Sequence, residues 1–116
     1  MMKIELNPTQ RRALRAQAHG RNPVVSIGQN GLTDAVIREI ALSLDAHELI
    51  KVRVFSDERE EREALFDSIC DQLDAAPVQH IGKLLVIYRP NPDRPRITLP
   101  QEKGSKTSTV KLKSPK

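Results

Sequence analysis

From Leu49 to Phe55 the chain alternates between apolar and charged positions. Ile50, Val52 and Val54 fall on one side of an extended segment, and Lys51 and Arg53 on the other. Period-two alternation predicts a half-buried strand, here with a cationic outer face. Upstream, Val36, Ile37, Ile40, Ala41 and Leu44 recur at helical spacing, which predicts a helix from about Asp34 to Ala46. Downstream, Leu65, Phe66, Ile69, Cys70 and Leu73 form the apolar stripe of a helix running to about Asp74. Leu14 and Ala18 lie one turn apart in a shorter helix. Asn7 and Pro8 open it as N-cap and N1, and Gly20 closes it at C′. Pro23 leads into a strand at Val24–Ile27. Val78–Ile81 and Leu84–Tyr88 read as two strands joined by Gly82-Lys83, because Gly-x is a favoured two-residue hairpin turn. The element order is α-β-α-β-α-β-β.

Local signals sharpen the boundaries. Thr33 is suited to cap the second helix, and Asp57 with Glu60 has capping-box spacing for the third. His47 falls near the end of the second helix, where a cation suits the dipole. Asn30-Gly31 could turn a hairpin, but no strand pattern follows it. After Arg89 the chain is broken by Pro90, Pro92, Pro95 and Pro100, with Ile97-Thr98-Leu99 extending briefly along the domain. From Gln101 onward Lys, Ser and Thr dominate. The reading is one domain over residues 3–100 and a disordered basic tail over 101–116.

The 116 residues suffice for one domain with a modest core. The lone Cys70 excludes an internal disulfide and any multi-cysteine metal site, which fits a reducing cytoplasmic compartment. No segment approaches the roughly 20 apolar residues that span a bilayer, and no signal-peptide core opens the chain. With two Phe, one Tyr and no Trp, stacking on aromatic platforms cannot be the main binding mode. The formal net charge is +4, unevenly placed. Residues 1–30 carry five Lys and Arg against Glu5. Residues 31–76 carry five against twelve Asp and Glu, and residues 77–116 carry nine against two. Basic ends around an acidic middle suggest one positive face and an anionic partner.

The chemistry converges on Gly28-Gln29-Asn30-Gly31, between the first strand and the second helix. Two glycines permit a tight turn and leave no side chain above the backbone. The helix behind it presents unpaired N–H groups and the positive end of its dipole. Such a loop suits a phosphate. Arg12 and Arg15, with His19, share one side of the first helix, with Arg11 beside them; solvated surface is an equally good reading of that side alone. With Arg21, Lys51 and Arg53, these arginines could fork onto a sugar–phosphate backbone held by the loop.

Catalytic patterns are missing. His19, His47 and His80 fall in different elements without metal-ligand spacing. Neither a nucleophile elbow nor a Walker-type loop occurs. Glu58, Glu60, Glu61 and Glu63 crowd the start of the third helix, where the dipole favours acids and surface charge is the ordinary role. Neither a cofactor nor a small-molecule substrate is expected.

Four blocks carry a family resemblance. They are Asn22-Pro23-Val24-Val25, Gly28-Gln29-Asn30-Gly31-Leu32-Thr33, His47-Glu48-Leu49-Ile50-Lys51-Val52, and Ile81 through Pro90. Together they resemble the bacterial YhbY proteins, stand-alone CRM domains (chloroplast RNA splicing and ribosome maturation), over about residues 4–99. The resemblance implies an α/β two-layer fold: a mixed four-stranded sheet packed with helices, like the C-terminal domain of translation initiation factor three. It also implies RNA binding, with ribosomal RNA in precursors of the large subunit as partner. Many CRM domains place a basic residue between the loop glycines. Here Gln29 and Asn30 stand there, so backbone amides and nearby arginines carry more of the work. The expectation is a non-catalytic RNA-binding protein that assists ribosome assembly. Its rivals are a protein-interaction adaptor using the acidic third helix and, more distantly, a nucleic-acid enzyme relying on His80.

Overall fold

The structure is a computed structural model that describes residues 6–93 together with Ile97 and Leu99. The expected domain end at residue 100 and the Lys-rich tail lie outside the described residues. Seven elements follow the expected order: α1 (Pro8–Ala18), β1 (Val25–Ile27), α2 (Asp34–His47), β2 (Leu49–Val54), α3 (Arg59–Leu73), β3 (Ala76–Ile81) and β4 (Leu84–Tyr88).

The strands form one mixed sheet in the order β1-β2-β4-β3. β1 runs parallel to β2, whereas β4 is antiparallel to both β2 and β3. On one face Ile50, Val52 and Val54 pack with Leu85 and Ile87 beneath Ile40 and Leu44 of α2 and Phe66 and Ile69 of α3. On the other face Leu49, Val86 and Tyr88 pack with Val78 against Leu14 and Ala18 of α1, joined by Ile97 and Leu99. Helix α1 thus adds a second, smaller core on the far side of the helix-covered sheet. The sequence signature is the unbroken run Leu84–Tyr88: a strand covered on both faces shows no alternation. Leu14 is wholly buried, and truncating such a leucine to alanine costs about 2–5 kcal/mol.

Helix ends follow their caps, with one correction. Asn7 Oδ1 accepts the Gln10 N–H at 2.7 Å, and Gln10 Oε1 accepts the Asn7 N–H at 3.2 Å, so α1 starts on a full capping box. Thr33 Oγ1 accepts the Val36 N–H at 3.2 Å and starts α2. The box expected from Asp57 and Glu60 does not form. Glu58 is the N-cap of α3 and makes no side-chain cap bond. Ser56 Oγ instead accepts the Glu58 N–H at 3.1 Å, and the Asp57 carboxylate turns away to Lys83. At the other end of α1, Gly20 follows the C-cap His19 without taking a positive φ.

Strand β3 begins two residues before its expected start and includes Pro77, with a register shift between Pro77 and Gln79. Proline is tolerated there because β3 is an edge strand and the ladder slips at the bulge. At the hairpin, Gly82 takes φ +55, as the first residue of a Gly-x turn requires.

Glu48 has no precedent in the sequence reading. It takes φ 65 and is completely buried. Positive φ on a non-glycine residue costs on the order of 1–3 kcal/mol. Hydrogen bonds offset it. The Glu48 N–H donates to Leu44 O at 2.8 Å, and its carbonyl accepts the Arg89 N–H at 2.8 Å. Its carboxylate accepts the N–H of Asn91 and, at 2.8 Å, that of Ile97. Asn91 and Ile97 are thereby tied to the C-cap of α2, and Ile97 and Leu99 pack on the α1 core.

Candidate nucleic-acid interface

Strand direction brings the site together. Because β1 and β2 are parallel, the Gly28–Gly31 loop and the Phe55–Glu58 segment leave the sheet at the same end. Because β4 is antiparallel to β2, with Arg53 opposite Leu84, the Gly82-Lys83 turn reaches that end too. Phe55 donates its N–H to Ile27 O at 2.9 Å and ties the two parallel strand ends together.

The loop is a four-residue turn closed by the Gly31 N–H on Gly28 O at 3.0 Å. Gly31 takes φ +74, a conformation that favours glycine. Gly28 does not take a positive φ, and a Cβ added there would meet nothing within 4 Å. The turn therefore requires only the second glycine; Gly28 contributes open space over its backbone. Gln29 and Asn30 are exposed.

The two sides of this loop differ in charge. On one side Gly28 lines a hollow with Ser26, Arg53 and Lys83. On the other, Gly28, Gln29 and Gly31 line a hollow with Asp57, Glu58 and Glu61. Asp34 adds a carboxylate at the first turn of α2. A phosphate is therefore favoured on the Arg53 side alone, a one-sidedness the sequence reading missed.

Lys51 and Arg53 point away from the α2–α3 core, onto the sheet face that α1 covers only in part. Along the row nearest the loop, Ser26 pairs with Arg53, Arg53 with Leu84 and Leu84 with Ile81. Three strand spacings make this row about 14 Å wide. Beyond it, Ile81 and Gln79 line a hollow with Arg12, Arg15 and His19 of α1. The expected cations thus share one open half-face in two groups, Lys51 and Arg53 by the loop and Arg12 and Arg15 by the β3 edge.

Two expected contributors are partly engaged elsewhere. Arg21 Nη1 donates to Leu49 O at 3.0 Å and braces the connection into β1. Arg11 Nε donates to Pro77 O at 3.3 Å and ties α1 to the bulge of β3. Lys83 was missed because it reads as a turn residue; its position follows from the strand order. Its ammonium pairs with Asp57, and that hydrogen bond, with the attendant charge attraction, holds the Asp57 carboxyl below its ordinary pKa.

His80 is half-buried against α3. Its ring meets Phe66 edge-on at 6.3 Å between centroids. Its Nε2 accepts from Arg62 Nε at 3.1 Å, and Arg62 Nη1 donates to Ser56 O at 3.1 Å. Cys70 is buried in the α2–α3 core. Among the described residues, no group of three His, Cys, Asp or Glu side chains could hold a metal ion.

Comparison with known proteins bears on the family and the fold. Residues 6–89 match the CRS1/YhbY (CRM) domain. The chain is 43% identical over 97 residues to a protein of Haemophilus influenzae named an RNA-binding protein, covering 84% of this chain and 97% of that one. It is 40% identical over 89 residues to a probable RNA-binding protein of Pseudomonas aeruginosa, covering 77% and 86%. The solution structure of a hypothetical protein from Staphylococcus aureus superposes with a TM-score of 0.74 at 33% identity, covering 83% of this chain and all of that one.

Proposed function

The chain belongs to the CRS1/YhbY (CRM) domain family, and from that premise we propose that it is a non-catalytic RNA-binding protein. Its ligand is ribosomal RNA in precursors of the large subunit, and its role is to assist ribosome assembly in the cytoplasm. The observation that carries the RNA reading is the open half-face, where Gly28, Arg53 and Lys51 stand on the same side of the sheet as Arg12 and Arg15. The names of the relatives support RNA as the ligand. The ribosomal part rests on the resemblance to YhbY proteins.

The mechanism is positional. The RNA backbone passes over Gly28, where no side chain obstructs it, and a phosphate meets the Arg53 guanidinium. Arg12 and Arg15 hold a second stretch of backbone across the sheet. Contacts of this kind fix register and carry little base information, so shape selects the RNA.

Crosslinking in cells followed by sequencing of the bound RNA tests the proposal. The expected result is enrichment of large-subunit ribosomal RNA precursors. Crosslinks without that enrichment would overturn the ribosomal part. Co-purification with a protein partner that survives ribonuclease, without RNA crosslinks, would favour the adaptor reading of α3.

A further inference from the structure

Of the three Phe and Tyr side chains in the chain, two are buried: Phe66 at 8% and Tyr88 at 3% exposure. Phe55 is 56% exposed. It stands between the two hollows that flank the loop, lining both the Arg53–Lys83 side and the Asp57–Glu61 side. Its backbone is fixed by the hydrogen bond to Ile27. A single exposed apolar side chain is ordinary on a protein surface. An aromatic ring standing between a cationic hollow and an acidic one is a more specific arrangement.

Building on the RNA-binding reading, we propose that Phe55 stacks one unpaired base of the bound RNA. Charge sets the polarity. The phosphate of that nucleotide lies towards Arg53, since the carboxylates of Glu58 and Glu61 repel it from the other side. The base then lies over the ring, and its N–H edge faces those carboxylates, which only accept hydrogen bonds. A paired base inside an A-form helix cannot present its face to the ring, so the occupant is an unpaired nucleotide. One such site supplements the phosphate contacts without replacing them.

The natural chain lacks tryptophan, so Phe55→Trp creates a single fluorophore at the site. A short single-stranded oligoadenylate and a blunt RNA duplex serve as probes, with binding followed separately by anisotropy of labelled RNA. The single strand is expected to quench the tryptophan, and the duplex to leave it bright even where it binds. Phe55→Ala and Phe55→Leu are each expected to weaken single-strand binding about tenfold, with melting temperatures close to the parent's. In the natural protein, the Phe55 ring protons are expected to shift upfield when the single strand is added. Single-strand binding without quenching or ring shift, or full affinity in Phe55→Leu, overturns the stacking site and leaves the RNA-binding reading intact. Failure of every RNA to bind overturns both.

Discussion

Arg53 stands directly across from Ser26 in the parallel register of β2 on β1, so its guanidinium lies beside the hollow that opens at Gly28. Removing it tests whether that position matters. Arg53→Ala should weaken RNA binding at low salt and reduce the slope of log affinity against log salt by about 0.7–0.9 for the one lost phosphate contact. Because Arg53 is exposed, stability should change by less than about 0.5 kcal/mol. Arg21→Ala should behave differently: loss of the bond to Leu49 O should cost about 1–3 kcal/mol in denaturant unfolding. Equal stability of the two variants would contradict the division between a binding and a bracing arginine.

Arg12 and Arg15 face the hollow at the β3 edge. Changing both to alanine should flatten the salt slope further and leave the melting temperature in place. An unchanged slope would remove α1 from the interface and confine binding to the loop end of the sheet.

The buried Glu48 carboxylate makes a structural prediction. Glu48→Gln keeps the size of the side chain but replaces charge-assisted hydrogen bonds to the Asn91 and Ile97 amides with neutral ones, and it can leave one amide unpaired. Stability should fall by about 1–3 kcal/mol. Amide exchange at residue 97 should accelerate. Parent-like stability and exchange would show that contacts other than these two bonds hold Asn91 and Ile97.

Asp57 supplies a pH test. The hydrogen bond from Lys83, then its charge, lowers the folded-state pKa of Asp57 below 3.8. A lowered carboxyl pKa contributes stability that is complete above the unfolded value and lost as pH falls through the folded one. Lys83→Met should return the Asp57 titration, followed by carboxyl carbon NMR, towards 3.8. RNA that draws Lys83 onto a phosphate should move it the same way in the parent. A titration unmoved by Lys83→Met would contradict the pairing.

Much of the fold is legible in the sequence because the dominant signals are periodic. The alternation at Ile50–Val54 and the helical stripes around Ile40 and Ile69 each specify an element and its buried face. Asn7, Thr33 and Gly82 mark ends because their roles are local. The features that were not legible depend on distant partners. Asp57 has capping spacing, yet Lys83 across the sheet end competes for its carboxylate. The burial of Glu48 depends on partners more than forty residues away, Asn91 and Ile97. Gly28 and Gly31 look equivalent, but only Gly31 needs its backbone freedom. The loop and its flanking cations were visible one by one. Their division into a cationic and an acidic side was not, because it requires the strand order.

The most direct test of the central claim is the affinity of the Gln29→Asp, Asn30→Asp double variant for large-subunit ribosomal RNA at low salt, measured beside its melting temperature. Both glycines remain, and both altered residues are exposed, so the turn should persist. Acids near the start of α2 should leave stability level or slightly raised. Two negative charges are added to the loop that the RNA backbone crosses at Gly28. A like-charge pair about 4 Å apart costs roughly 4 kcal/mol at an effective dielectric of 20, and a much smaller screened remainder still lowers affinity about tenfold. Binding reduced at least about tenfold with unchanged melting is the predicted result. Parent-like binding at low salt would contradict the claim and show that the RNA does not pass over the Gly28–Gly31 loop.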